Sequence, residues 1–158
     1  MAENLSIINS NKRPAVRSSI LVGEKGERMA AEFLEKSGYR IVLANFKVPV
    51  GRNSNGAEVT GEIDLIALDG DTLCFVEVKT RVANDFAEPS AAVTLRKQRQ
   101  ITRTAKVYRR IFELTEMQYR YDVVSIVLGH FGEPSIELLK AFWNDQKFVK
   151  RTWNHEIW

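Results

Sequence analysis

Cysteine and histidine are scarce in this sequence: its 158 residues include one cysteine, Cys74, and two histidines, His130 and His155. A single cysteine cannot form an internal disulfide, which is typical of proteins in a reducing compartment. Neither histidine has a cysteine or another histidine nearby at the spacing of a zinc site. We therefore expect a cytoplasmic protein without a zinc centre or a Ser-His-Asp triad.

Long hydrophobic runs are also absent. No apolar stretch approaches the roughly 20 residues of a membrane span, and residues 1–19 lack the apolar segment of a secretory signal. We therefore expect no membrane partner. The composition, 44% hydrophobic and 27% charged, and the length of 158 residues are those of a single globular domain. A net charge of +3 permits a nucleic-acid partner but does not require one.

The composition divides the chain into a flexible polar tail at residues 1–19, a domain at residues 20–142 and an aromatic, basic tail at residues 143–158. We expect the aromatic residues of the second tail to dock on the domain or on a partner subunit rather than to stack on bases. Hydrophobic patterns predict a helix at 23–36, a strand at 39–46, a loop at 48–60, strands at 61–68 and 72–79, a long helix at 90–112, and strands at 121–128 and 136–142. This order indicates an α/β fold with a mixed β-sheet flanked by helices.

The two adjacent strands at 61–68 and 72–79 bring charged side chains together. Side chains alternate along a strand, so Glu77 and Lys79 share one face. A two-residue turn at Asp69-Gly70 would make Glu77 the diagonal neighbour of Asp64, and a four-residue loop would place the two acids directly opposite. Either connection puts Asp64, Glu77 and Lys79 on the same face of the sheet.

These charged groups lie in apolar surroundings. Both strands carry apolar residues on both faces, as interior strands covered by helices do. Charges there are costly to desolvate unless they pair or bind a cation. Two carboxylates and a backbone carbonyl form the oxygen site that Mg²⁺ prefers, and Glu27 adds an acid on the apolar side of the first helix. The alternative is a salt bridge between Glu77 and Lys79 at a sheet edge, with Asp64 in water.

The predicted long helix carries charge of one sign. Residues 89–112 contain no acidic residue and seven Lys or Arg residues. Five of these recur at intervals of three or four and form one stripe: Arg96, Arg99, Arg103, Lys106 and Arg110. A one-signed stripe favours binding to phosphates, and the alternative is a solvated helix face without a partner.

Several motifs resemble the YraN-like family of small bacterial proteins. The resemblance depends on Gly61–Ala67 (GEIDLIA) and Phe75–Arg81 (FVEVKTR), supported by Gly26-Glu27, Gly38-Tyr39 and Tyr121-Asp122. It implies a restriction endonuclease-like core of the PD-(D/E)XK superfamily, with the order α-β-β-β-α-β and a likeness to archaeal Holliday junction resolvases.

The resemblance also implies roles for individual residues. Asp64 and Glu77 would bind Mg²⁺ or Mn²⁺ together with the Val78 carbonyl, Lys79 would be the catalytic lysine, and Glu27 would support the metal or its waters. Gln98 or Lys97, near the start of the long helix, would face the site. Together with the basic stripe, this gives a predicted nucleic-acid-binding set of Arg81, Arg96, Lys97, Gln98, Arg99 and Arg103.

The resulting hypothesis is an Mg²⁺-dependent endodeoxyribonuclease that cuts structured or branched DNA and forms a homodimer. A second hypothesis is a non-catalytic nucleic-acid-binding or adaptor protein of the same fold. A third is a structural partner in a larger complex, bound through the aromatic tail.

Overall fold

The computed structural model describes residues 13–83 and 93–149, with the side chains of 18–83 and 93–149. Its elements are α1 Arg13–Lys36, β1 Arg40–Arg52, β2 Glu58–Asp69, β3 Thr72–Val82, α2 Leu95–Ile111, β4 Tyr119–Leu128, β5 Ser135–Trp143 and a short 3-10 helix Asp145–Phe148. Within these ranges no helix is long and apolar enough to cross a membrane.

The five strands form one mixed sheet in the order β1-β2-β3-β4-β5. Three neighbouring pairs are antiparallel, and β3 and β4 are parallel because α2 crosses over between them. The two helices cover opposite faces of the sheet. Ala30 and Leu34 of α1 pack in one apolar cluster, and Ile101 and Tyr108 of α2 pack in the other. The predicted α/β architecture is therefore confirmed.

The predicted loop at 48–60 is wrong for most of its length. Only residues 53–57 connect β1 and β2. Pro49 is compatible with a strand here because β1 lies at the edge of the sheet. Proline has no N–H to donate, and at an edge this breaks no hydrogen bond between interior strands. The side-chain oxygen of Asn53 accepts hydrogen bonds from the N–H groups of Asn55 and Ala57, at 3.0 and 2.9 Å, and closes the turn.

Both ends of the predicted domain also differ from the sequence-based boundaries. Because α1 begins at Arg13, residues 13–19 belong to a helix and not to a tail. The segment RPAVRSS lacks the hydrophobic period that marks a helix, and residues 18–21 of α1 are exposed. At the other end, Trp143 belongs to β5 and stacks on Tyr121 with 4.8 Å between ring centroids. Parts of both predicted tails and the predicted start of the long helix lie outside the described ranges, in residues 1–12, 150–158 and 84–92.

The helix α1 approaches β3 closely at Gly26. A Cβ atom at this position would collide with Oγ1 of Thr80 and lie 2.9 Å from its Cβ. The absence of a side chain at Gly26 thus lets the helix settle on the sheet. This contact places the next residue, Glu27, beside the end of β3.

Replacement of Gly26 by alanine tests this close approach. We expect Gly26→Ala to lower the free energy of unfolding by about 1–3 kcal/mol, as overpacking does, measured by denaturant unfolding. Gly23→Ala is the matched control on the same helix, because no atom lies within 4 Å of its added Cβ. That control should raise stability by about 0.5–1 kcal/mol through helix propensity. Equal stability of the two variants would contradict the packing described above.

Candidate functional site

The strands β2 and β3 separate at Asp64. Their pairing runs from Asp69 opposite Thr72 to Leu65 opposite Val76. One further step in this register places Asp64 directly opposite Glu77. The connection is Gly70-Asp71, one residue later than an Asp69-Gly70 turn, which would have made the two acids diagonal neighbours. At that step the carboxylate Oδ2 of Asp64 accepts a hydrogen bond of 2.7 Å from the Val78 N–H. A side chain thus takes the N–H of β3, the sheet opens, and both carboxylates lie at the opening.

The two carboxylates are buried next to one another. Asp64 and Glu77 are each only 8% exposed. Burial raises the pKa of Glu77, and the neighbouring Asp64 charge raises it further, to about 8. Burial also raises the pKa of Asp64, against the opposing effects of the Val78 N–H and the charge of Lys97. Oε2 of Glu77 is buried and has no hydrogen-bond partner among the described residues. At neutral pH the pair therefore tends to retain a proton.

The cation that pairs with Glu77 is Lys97 and not Lys79. The Nζ atom of Lys97 lies 3.4 Å from Oε1 of Glu77. Lys97 stands in the first turn of α2, where its backbone N–H donates to the Oγ1 of the cap residue Thr94 at 3.3 Å. Lys79 is exposed. The alternative in which Glu77 pairs with Lys79 and Asp64 is solvated is therefore wrong.

The residues predicted to form the site line one cleft of about 590 Å³. From the sequence-based set, this cleft contains Glu27, Asp64, Glu77, Val78, Lys79 and Arg81. Glu27 reaches it from α1, and the remaining residues come from the diverging strands. Burial raises the pKa of Glu27, a hydrogen bond with the Asn45 side chain lowers it, and the Asp64 charge adds to the rise.

Asn45 is a site residue to which the sequence assigned no role. It adopts a left-handed conformation with φ of 54°, which an asparagine tolerates better than most residues, and its side chain contacts Glu27. An asparagine inside an otherwise apolar strand run was the available signal, and only the fold reveals which acid it meets.

The residues predicted to contact nucleic acid do not all lie on one surface. Arg96, Arg99 and Arg103 are exposed along α2. Gln98, by contrast, is 5% exposed, and its amide donates to the Val93 carbonyl at 2.9 Å. Its oxygen accepts a hydrogen bond from Lys147 at 3.3 Å, so both ends of the amide are engaged within the fold.

The donor atoms at the opening fit a hard divalent cation. Among the described residues, no group of three or more His, Cys, Asp or Glu side chains is arranged to hold a metal. A site here would consist of the Asp64 and Glu77 carboxylates with a backbone oxygen such as that of Val78, completed by water. Mg²⁺ characteristically keeps several waters and takes only one or two protein carboxylates. The unpartnered Oε2 of Glu77 is the kind of buried oxygen that such an ion would satisfy.

A second buried charge network lies at the other end of the β2–β3 pair. The guanidinium of Arg120 contacts Asp69 at 2.6 Å, Asp122 at 2.9 Å and the Tyr39 hydroxyl at 2.8 Å. Asp122 is fully buried and also accepts the Ala141 N–H at 2.8 Å. Every polar atom of Asp122 thus has a local partner, which assigns this network to the fold and not to a reaction.

The fold is a mixed five-stranded sheet with one helix on each face, and paired carboxylates lie where two of its strands separate. It is that of an α/β protein and is consistent with a restriction endonuclease-like core. The chain belongs to the family described as uncharacterised protein family UPF0102, whose model matches residues 26–126. This confirms the resemblance to the YraN-like family, which is the same family. The matched segment contains every residue of the cleft from Glu27 to Arg81, and Lys97 as well.

Relatives in the same family align with most of the chain. A UPF0102 protein of Chlorobium chlorochromatii is 41% identical over 135 residues, which cover 82% of this chain and 96% of the relative. One of Paenarthrobacter aurescens is 38% identical over 126 residues, 80% of this chain and 96% of the relative. One of Symbiobacterium thermophilum is 42% identical over 119 residues, 75% of this chain and 92% of the relative.

The buried acids should lower the stability of the metal-free protein as pH rises. The pKa of Glu77 is about 8 in the folded protein, against an ordinary value of 4.5. The folded state therefore holds a proton that the unfolded state loses, and stability falls between these two pH values. We expect Glu77→Gln, which does not titrate, to unfold at a higher temperature than the wild type. The free energy of unfolding of Glu77→Gln should exceed that of the wild type by an amount that grows from about pH 5 to about pH 8 and reaches roughly 1–3 kcal/mol.

Thermal unfolding across this pH range measures the effect. Glu58→Gln is the control, because Glu58 lies on the neighbouring strand β2 and is exposed, and its difference from the wild type should stay small and constant. A difference that stays constant from about pH 5 to about pH 8 would show that Glu77 is ionised in the folded protein at neutral pH.

Proposed function

We propose that the protein is a metal-dependent endonuclease that hydrolyses phosphodiester bonds of DNA. The observation that carries the proposal is the pair of buried carboxylates at the opening between β2 and β3, with one oxygen of Glu77 unpartnered and Lys79 in the same cleft. Buried acids with raised pKa values in a cleft are typical of functional sites, since a purely structural role does not require their desolvation.

Each residue of the cleft has a role in this proposal. Asp64 and Glu77, with the Val78 carbonyl, hold Mg²⁺ or Mn²⁺, and a bound ion of this kind supplies Lewis acidity to a phosphate oxygen. Lys79 is exposed in the cleft, where its ammonium can orient a water and stabilise negative charge on the phosphate. Glu27 accepts hydrogen bonds from waters at the edge of the site. In the reaction, water adds to phosphorus and one P–O ester bond breaks, which leaves a phosphate monoester and a hydroxyl group.

The exposed basic face of α2 supports DNA as the partner. Arg96, Arg99, Arg103, Lys106 and Arg110 are all exposed, and α2 contains no acidic residue. Such a surface attracts a polyanionic backbone without reading its sequence. By analogy with Holliday junction resolvases we further propose branched DNA as the substrate, a homodimer as the working form and the cytoplasm as the location.

A non-catalytic DNA-binding or adaptor protein is the second candidate. The observation in its favour is the Lys97–Glu77 ion pair, which partly neutralises the acids without any metal. In this alternative the cleft has no catalytic role, and the α2 surface alone contacts DNA.

Mutation of the acids separates the two candidates. We expect Asp64→Asn and Glu77→Gln to lower the rate of Mg²⁺-dependent cleavage of a four-way DNA junction by roughly 100-fold or more, the usual effect of removing a charge-stabilising group. Glu58→Gln, an exposed acid on β2, should cut at the wild-type rate. A wild-type rate in Asp64→Asn would show that this site takes no part in the reaction. The absence of metal-dependent cleavage in the wild type would favour the binding protein.

Mutation of the basic face tests the partner. We expect the double variant Arg103→Gln/Lys106→Gln to bind duplex DNA more weakly and to reduce the slope of log affinity against log salt by about 2, since each phosphate contact contributes about 0.9. The matched control is Lys36→Gln/Arg40→Gln, which removes the same charge from exposed positions outside α2. Equal slopes for the two double variants would mean that α2 is a solvated surface and not a DNA-binding one.

A further inference from the structure

The position of Lys97 is unfavourable for helix stability. The first turn of α2 contains no acidic residue, although the positive end of the helix dipole favours acids there. Lys97 instead brings a positive charge to this end of the helix. Its side chain is 32% exposed and points to Glu77, whose side chain is 11% exposed. The contact with the Glu77 carboxylate distinguishes Lys97 from Arg96, the other cation in this turn, which is exposed.

One ammonium group compensates only part of the charge at the opening. Lys97 pairs with Oε1 of Glu77, while Oε2 of the same carboxylate is buried and unpartnered. Asp64 receives the Val78 N–H, the more distant influence of the Lys97 charge and a hydrogen bond shared with Glu77, and no cation pairs with it directly among the described residues. A divalent cation would supply twice the charge of Lys97 to the same oxygens. In a poorly solvated site the two cations repel each other, so the ammonium and the metal compete.

We propose that Lys97 is a resident counter-ion that competes with the divalent metal for Glu77, and that its ammonium moves to a phosphate of the nucleic acid when the metal is bound. A lysine suits this exchange because its charge sits on a flexible stem, and Lys97 is already one-third exposed. The inference rests on the proposed function for the metal and for the phosphate. Lys97 is thus a positioning residue in the metal-free protein and a substrate contact in the loaded one.

Metal affinity tests the competition directly. Mg²⁺ is titrated calorimetrically into the wild type, Lys97→Met and Lys106→Met without DNA. All three proteins are titrated at the same pH. Lys97→Met should bind Mg²⁺ about tenfold more tightly, which corresponds to about 1.4 kcal/mol. Lys106→Met, the same substitution at an exposed position of the same helix, should bind with wild-type affinity.

DNA affinity tests the transfer of the ammonium. The measurement uses a Lys79→Met background, so that bound DNA is not cut, with and without Mg²⁺. Adding Lys97→Met should weaken duplex binding by about three- to tenfold with Mg²⁺, the loss of about one phosphate contact, and leave it unchanged without the metal. Adding Lys106→Met should weaken binding by the same factor in both conditions.

The outcomes distinguish this inference from the proposed function. If the wild type binds Mg²⁺ and Asp64→Asn does not, but Lys97→Met binds it no more tightly than the wild type, the counter-ion role is wrong while the metal site stands. A loss of DNA affinity in Lys97→Met that is equal with and without Mg²⁺ overturns the transfer. If the wild type itself binds no Mg²⁺, the proposed function fails, and the inference fails with it.

Discussion

The hydrogen bond from the Val78 N–H to the Asp64 carboxylate determines where the sheet opens. In a continuous antiparallel pair the backbone of β2 would meet this part of β3, but here a side chain takes the N–H. Beyond this point β2 continues with β1, and β3 continues with β4. The divergence leaves a gap in which Asp64 and Glu77 face each other. Since antiparallel pairing is the default for a hairpin, one carboxylate converts a regular hairpin into a cleft.

The same opening makes the site expensive to fold. Burial raises the pKa of both acids, the Asp64 charge raises that of Glu77 further, and one lysine does not neutralise both. The surrounding fold compensates for this cost. The buried strands β2, β3 and β4 are covered by a helix on each face, and the Arg120–Asp122 network satisfies the buried charges at the opposite end of the β2–β3 pair. Stable packing at one end of the sheet thus supports an unfavourable arrangement at the other, as is common at functional sites.

The sequence predicted the parts of the site that depend on short-range geometry. The period of two along a strand put Asp64, Glu77 and Lys79 on one face, and the apolar runs around them indicated helices on both sides. Elements that depend on tertiary context were missed. Proline, glycine and asparagine at 48–60 indicated a loop. An edge strand accepts such residues, but the local sequence does not show that β1 lies at an edge. The pairing of Lys97 with Glu77 depends on how α2 returns to the sheet, which no local pattern encodes.

The acids in the cleft bear on the choice between nuclease and binding protein. Carboxylates repel phosphates, so Glu27, Asp64 and Glu77 oppose nucleic acid in this cleft as long as no metal is present. A protein that only binds DNA would gain affinity by replacing them with neutral residues, and it would recover the stability lost to their desolvation. A bound divalent cation would offset most of this negative charge and give the acids a function as its ligands or as partners of its waters. The presence of buried acids beside an exposed basic helix is therefore easier to explain by metal-assisted phosphodiester chemistry than by binding alone.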